Sequence, residues 1–203
     1  LRVLIVDRDA RRRGFATQLL HDDIRVIAAE PGNYFTPGVF LNDEGSRAFF
    51  RARGFTEAAT TWNLDVQLGT FTAPENVRRP RHDEAERVLA FVERDFGRIW
   101  RFEAAKAFTR DVSPAFISEE NGEVNGFAVH DINNRGIGWF GPTGVSESMR
   151  GRGVGGKLLL ASLADLQTLG YTRAVIPWTA ALEFYRKVCG AQPAHEFITM
   201  TRA

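Results

Sequence analysis

The sequence predicts a mixed α/β fold of the α+β-like kind, and three observations predict it. An Asn121-Gly122 pair sits between two apolar runs, which is the strongest short-range hairpin signal because both central residues of a type I′ turn need positive φ. A glycine-rich loop, Arg150 through Gly156, stands between an apolar strand and a helix with apolar residues at 158, 159, 161, 163, 166 and 169. From residue 83 onward the patterns run helix, helix, hairpin, strand, helix, strand, helix, strand.

The elements of that half follow in order. Residues 83–109 carry Ala85, Val88, Leu89, Val92 and Phe96 on one helical face, which gives one or two helices. Ala115–Ser118 and Val124–His130 form the hairpin. Gly136–Val145 is the next strand, with its ladder interrupted at Gly141 and Pro142. The helix after the loop runs from about Val154 to Leu169, and Gly170 stops it. Arg173–Pro177 is a buried strand. Thr179 is the expected N-cap of a helix ending near Gly190, and Phe197–Thr201 is the last strand.

The first third repeats part of this order. Residues 1–7 read as a strand, 15–22 as a short helix, 24–29 as a strand, Glu30-Pro31-Gly32-Asn33 as a turn, 43–53 as a helix and 56–67 as a strand. Arg11-Arg12-Arg13-Gly14-Phe15-Ala16 parallels Arg150-Gly151-Arg152-Gly153-Val154-Gly155. Arg47 through Phe55 parallels Leu182 through Gly190. Two features in the same order, each roughly 140 residues from its counterpart, argue for duplication. The expected division is a partial first copy over 1–70, a linker over 71–77 and a fuller copy over 78–203. The chain opens on Leu1–Val6 as on a strand already under way, so a missing natural N-terminus is expected.

Composition narrows the class of partner. The chain has 203 residues, 44% hydrophobic and 25% charged, with a net charge of +1. That is ordinary for a globular protein and supplies no large field for nucleic acid or an anionic membrane. A solvated linker is the expected role of Arg78, Arg79 and Arg81. The single cysteine, Cys189, forms no internal disulfide and fits a reducing, cytoplasmic setting. No membrane span or signal peptide is visible. His21, His82 and His195 lack metal-ligand spacing, so no metal is expected.

The loop carries the chemistry. Amides at a helix N-terminus are unpaired and partly positive, a ready phosphate site. Gly151, Gly153, Gly155 and Gly156 allow close backbone approach, and Arg150 and Lys157 add charge, so a pyrophosphate ligand is expected. Gly151, Gly153 and Gly156 also spell a dinucleotide fingerprint. The polar stretch Ser146–Arg150 separates it from its strand, however, and the following strand ends Val175-Ile176-Pro177-Trp178 with no carboxylate. Lys157 lacks P-loop spacing. A glycine turn without a ligand is the remaining alternative.

The run Val145-x-x-x-x-Arg150-Gly151-x-Gly153-Val154-Gly155 resembles the acetyl-CoA signature of the GNAT (Gcn5-related N-acetyltransferase) superfamily. With Thr179 and Phe184-Tyr185 downstream, and Tyr34-Phe35-Thr36-Pro37-Gly38-Val39 in the first copy, the chain is similar to a tandem GNAT protein truncated at its N-terminus. The resemblance implies a GNAT fold, with a central, mostly antiparallel sheet splayed at the CoA-binding strand. It implies that Val145 and the amides of Arg150, Gly151, Arg152, Gly153, Val154, Gly155 and Gly156 bind CoA, that a backbone N–H near Gly144–Val145 polarises the thioester carbonyl, and that Tyr185 protonates the leaving thiolate. Three departures stand out. Glu147 replaces a frequent Pro, Trp178 a frequent Asn, and Tyr185 is one residue further than usual from Ala191. In the first copy Phe50 stands at the tyrosine position and the loop offers only Gly14 and Ala16, so that copy is expected not to catalyse.

The function expected is transfer of an acetyl or short acyl group from acetyl-CoA to a primary amine, on a small molecule or peptide, by direct attack. The alternative is a non-catalytic CoA-binding or scaffold protein. The two copies are expected to pack together, with a homodimer left open. His130 and Asp131 offer a general base, though a strand end and turn also attract such residues, and a water relay is an equal choice. Trp139, Phe140 and Trp178 line an acceptor pocket or, as large apolar residues, belong to the core. Cys189 reads as a small core residue.

Overall fold

The computed structural model describes residues 1, 3–27 and 35–203. The expected turn Glu30–Asn33 and residue Tyr34 lie outside them. The helices are α1 (Phe15–Leu19), α2 (Glu44–Arg51), α3 (Ala85–Phe96), α4 (Arg98–Ala105), α5 (Val154–Thr168) and α6 (Leu182–Cys189). The strands are β1 (Val26–Ile27), β2 (Val39–Phe40), β3 (Thr56–Gln67), β4 (Ala115–Glu120), β5 (Glu123–His130), β6 (Phe140–Val145), β7 (Arg173–Thr179) and β8 (Gln192–Thr201). One sheet has the order β1-β8-β3-β7 with β2 also on β8, and the other the order β4-β5-β6. The ladders β1–β8, β2–β8, β4–β5 and β5–β6 are all antiparallel. The architecture is the mixed, largely antiparallel α/β arrangement expected.

The chain forms two compact units. One comprises Leu1–Asn63, Trp178–Ala180 and Pro193–Ala203; the other comprises Leu64–Pro177 and Ala181–Gln192. The division does not follow a linker at 71–77. All of β8 after Gln192 belongs with the first unit because its ladder takes β1 and β2, with Val26 opposite Thr201 and Val39 opposite Ile198.

The first unit buries Leu20, Ile27, Val39, Phe50, Phe55, Ile198 and Met200 together. Helix α2 starts at Asp43, whose carboxylate accepts from the Ser46 amide and so satisfies an orphan donor. Residues 1–7, expected as a strand, form none in the described residues. Their apolar side chains split between the core, which Leu1 and Leu4 join, and solvent, where Val3 and Ile5 point. β-formers without a ladder partner do not make a strand.

The second unit packs α3 and α4 on β4 and β5 through Val88, Leu89, Phe91 and Val92 of α3, Ala104 of α4, and Ile117, Phe127 and Val129. Asn121 (φ 53°) and Gly122 (φ 80°) make the positive-φ hairpin turn that the Asn-Gly pair predicts. Helix α5 packs on β5 where Gly126 leaves room. A Cβ there would lie 3.0 Å from both Val154 Cγ1 and Leu158 Cδ1.

Three local expectations are corrected. Strand β6 starts at Phe140, since Gly136 (φ 83°) and Gly138 (φ 69°) turn the chain before it. Thr179 closes β7, and the N-cap of α6 is Ala181, without a side-chain bond. In the run Arg78, Arg79, Arg81, the first two are not solvated linker residues, whereas Arg81 stays at the surface. Arg78 pairs with the buried Glu84 at 2.7 Å, Arg79 with Asp165 at 2.6 Å, and Arg81 with Asp83 at 3.0 Å.

Candidate active site

The residues just before β6 touch β7, and the two strands then part. The Val175 amide donates to Gly138 O at 2.9 Å, and Trp139 forms a parallel bridge with Val175. The approach is so close that a Cβ on Gly138 would lie 2.3 Å from Arg173 O. Beyond it β6 pairs with β5 and β7 with β3, which leaves an opening beside the end of β6.

The ladder decides which amides face that opening. Ser146 N–H donates to Asn125 O at 2.9 Å, and Gly144 and Val145 lie opposite Phe127 and Gly126. Antiparallel pairs alternate between bonded and non-bonded. The Gly144 amide is therefore directed at Phe127, and the Val145 amide away from β5, into the opening.

Helix α5 starts beside it. Gly153, at φ 77°, is the N-cap and offers no side chain to the first turn, and Gly151 also has positive φ. The first amide in the helical ladder is Lys157 N–H, to Gly153 O at 3.2 Å. The amides of Val154, Gly155 and Gly156 precede it, so they have no intrahelical acceptor, and the helix dipole adds partial positive charge. Seven side chains of the 15-residue helix are buried, so these amides are held on a fixed element.

A cleft of about 440 Å³ joins the two features. Of the residues expected at the site, Gly144, Val145, Arg150, Gly155 and Tyr185 line it. Gly151, Arg152, Gly153, Val154, Gly156 and Lys157 do not. Val154 packs toward Gly126, and Arg152 lies 3.8 Å from Glu120. Phe140, Thr143, Leu159, Ala181 and Phe184 also line the cleft. Of these, the sequence marks Phe140 as a pocket candidate, Phe184 as part of the family resemblance and Leu159 only as part of an apolar helix face. No spacing rule marks the rest, because they converge from β6 and the start of α6. Gly155 keeps the cleft open: a Cβ there would sit 3.6 Å from Val145 Cγ2 and 3.7 Å from Phe184 Cζ. Tyr185, largely buried, is edge-on to Phe184 at 4.9 Å and to Phe140 at 6.4 Å between centroids.

The other candidates take structural places. His130 is fully buried, stacks on Phe116, and lies with Nε2 3.0 Å from Asp165 Oδ2. Burial raises the Asp165 carboxyl, but His130 and Arg79 outweigh it and hold it below its ordinary value. Asp131 accepts from the Gly136 amide at 2.7 Å and pairs with Arg110, which ties the turn before β6. Trp139 and Phe140 are 3% and 1% exposed, and of the two buried rings Phe140 also lines the cleft. Burial pushes the Cys189 thiol up to about 11, so it carries little thiolate at neutral pH.

The arrangement fits CoA. Uncapped first-turn amides suit a pyrophosphate, a largely apolar cleft suits the pantetheine arm, and an amide directed into the splay suits a thioester carbonyl. A family model for the acetyltransferase (GNAT) family matches residues 79–191. Among solved structures, the glucosamine N-acetyltransferase region of a fungal multi-domain GH3 β-N-acetylglucosaminidase is 22% identical, with a TM-score of 0.80 over 98% of this chain and 29% of that one. A GCN5-related N-acetyltransferase from Sphaerobacter thermophilus is 17% identical, with a TM-score of 0.72 over 95% of this chain and 69% of that one. A tandem GNAT protein from the clavulanic acid biosynthesis pathway is 15% identical, with a TM-score of 0.59 over 97% of this chain and 72% of that one. The chain thus spans 29% of the fungal protein and 69% of the bacterial one. No curated protein matches the sequence. The family match covers more than half of the chain and agrees with the splayed strand and the glycine-capped helix: the chain belongs to the acetyltransferase (GNAT) family.

Proposed function

We propose that the chain transfers an acetyl or other short acyl group from CoA to a primary amine by direct attack. The observation that carries the reading is the set of open amides at Val154–Gly156 beside the outward amide of Val145, joined by one cleft. In this reading the loop amides of residues 151–156, with the charges of Arg150, Arg152 and Lys157, hold the pyrophosphate; the Arg150 amide itself donates to Glu147 O at 3.2 Å. The Val145 N–H donates to the carbonyl oxygen as negative charge develops on it, while the Gly144 amide stays in the ladder. The amine nitrogen forms the new C–N bond, the C–S bond breaks, and Tyr185 gives its proton to the departing thiolate. The amine's surplus proton leaves to water, and the Tyr185 phenolate takes a proton back from water, which restores the phenol. His130 is buried against Asp165 and Phe116, which favours the water relay. The raised Cys189 thiol argues against an acyl-cysteine intermediate.

The test is calorimetric titration with acetyl-CoA, followed by thiol release over a panel of amines. The fungal neighbour's name gives amino sugars a place in that panel. Binding with micromolar affinity and thiol release with one amine supports the reading. Binding without turnover on any amine favours a CoA-binding scaffold, and no binding overturns both.

A further inference from the structure

We propose that Phe96 is a positioning residue for acyl transfer: its ring seats on Gly144 and fixes the direction of the next peptide, whose N–H belongs to Val145. The proposal rests on the reading above. Phe96 is the last residue of α3, and Gly97, at φ 90° and ψ 172°, breaks the chain sharply into α4. That break places the aromatic ring against the face of β6 bearing Gly144. A Cβ on Gly144 would stand 2.5, 2.6 and 2.9 Å from Phe96 Cζ, Cε1 and Cε2, closer than real Cβ contacts come. The Gly144 backbone does not itself require glycine, since its φ is not in the left-handed region. The ring accounts for the missing side chain.

The ring is held in turn. Trp100 stacks on it at 5.3 Å and 19°, and Phe127 and Phe91 pack at 5.5 and 5.8 Å. Phe127 is also the ladder partner of Gly144. Phe96 therefore touches both members of the pair that precedes the open amide. Glycine has the widest backbone freedom of any residue, so beyond the ladder bonds to Phe127 nothing in Gly144 itself resists rotation of the peptide joining 144 to 145. A rigid ring pressed on its Cα supplies that resistance. Catalytic hydrogen bonds to a developing oxyanion depend on such fixed direction, and one donor is worth about 10²–10³ in rate.

The test compares two cavities in one core. Phe96→Ala removes the seat on Gly144, whereas Leu89→Ala opens a cavity on the same helix. The amide ¹⁵N signal of Val145 is followed on saturation with acetyl-CoA and with CoA, and the difference reports the acyl carbonyl. In Phe96→Ala that difference should fall by more than half and kcat by roughly tenfold, with CoA affinity held within about threefold. Leu89→Ala should keep both, and Phe96→Tyr should restore both. If Phe96→Ala does not fold, Phe96→Leu replaces it. An unchanged Val145 difference in the Phe96 variant, or an equal loss in Leu89→Ala, overturns the proposal. A parent protein that binds no acetyl-CoA overturns the functional reading, and this one with it.

Discussion

Two glycines in this chain do the same local job with different consequences. Gly14, at φ 85°, is the N-cap of α1, and Gly153, at φ 77°, is the N-cap of α5. A 3₁₀ turn precedes each, over Arg8–Ala10 and Glu147–Met149. Each is followed by a helix, by extended chain (β1 and β2 in the first half, β7 in the second), by an eight-residue helix and by a strand, and a left-handed glycine, Gly54 or Gly190, follows each eight-residue helix. The surroundings differ. Helix α1 has five residues and buries none, and no strand precedes Gly14 in the described residues. Helix α5 has fifteen, buries seven, and follows a strand that has parted from its neighbour. A glycine turn starts a helix; a site also needs a helix held still and an edge strand beside it.

The largest expected difference between the halves is at Tyr185 and Phe50. Tyr185→Phe keeps the ring against Phe140 and Phe184 and removes only the hydroxyl. As a general acid it should be worth about a hundredfold in kcat, with acetyl-CoA affinity unchanged within about twofold. Steady-state kinetics with the amine found by thiol release measure it. A kcat within twofold of the parent would leave Tyr185 as packing. Phe50→Tyr should confer no activity. It places a hydroxyl in the core of Phe49, Phe55 and Met200, and should cost about 1–3 kcal/mol by urea unfolding if no partner is found.

Each half also has an arginine–glutamate knot, and the two should respond unequally. In the second half the buried Glu84 takes Arg78 at 2.7 Å and Arg87 at 2.7 Å. A hydrogen bond from Arg78, helped by the Arg81 amide, pulls its carboxyl down to about 2. In the first half Glu44, mostly exposed, takes Arg47 at 3.3 Å and also pairs with Arg51. Glu84→Gln leaves guanidinium groups facing a neutral partner and should destabilise by about 2 kcal/mol, below the usual cost for a buried pair because Arg78 is partly exposed. Glu44→Gln should change stability by less than about 0.5 kcal/mol. Because the folded carboxyl titrates below its ordinary 4.5, its contribution is complete above that pH and is lost as pH falls toward 2. The gap between parent and Glu84→Gln in urea midpoint should therefore narrow from pH 5 to pH 2, while Glu44→Gln shows no gap to narrow.

What could be read in advance divides along the same line. The hairpin at Asn121-Gly122, the span of α5 and the end of α6 at Gly190 are set by local chemistry, and their residues announce them. Strand β3 matches its expected span, 56–67. Residues 1–7 have the composition of a strand but not the neighbour, and composition does not reveal a neighbour. Arg79 looked like a solvated charge, yet its partner Asp165 lies on α5, far along the chain. At the site, the glycines were visible as a motif. The walls Thr143, Leu159 and Ala181, and the ring of Phe96 on Gly144, exist only once strand and helices converge. Gly144 and Val145 were named as a pair; only the ladder register separates them, and register comes from pairing, not from either residue.

The smallest expected effect is the sharpest test of the comparison. Valine at Gly153 and valine at Gly14 both force a β-branched residue into left-handed backbone, at roughly 1–2 kcal/mol each. A Cβ at either position meets nothing within 4 Å in the free protein. Packing in the free protein therefore gives no reason for the two variants to differ, and both should fold with a similar loss of stability. A ligand supplies the reason. If the pyrophosphate lies against the first-turn amides of α5, a side chain at 153 occupies its path, and acetyl-CoA affinity should fall at least tenfold, about 1.4 kcal/mol. Gly14→Val should leave that affinity unchanged. Calorimetry on the two variants, with urea unfolding to match their stability, reads both terms. Equal affinities would return Gly153 to the role Gly14 has, a turn that starts a helix. A loss in Gly14→Val as well would move acetyl-CoA binding into the first half, against the short, unburied helix found there.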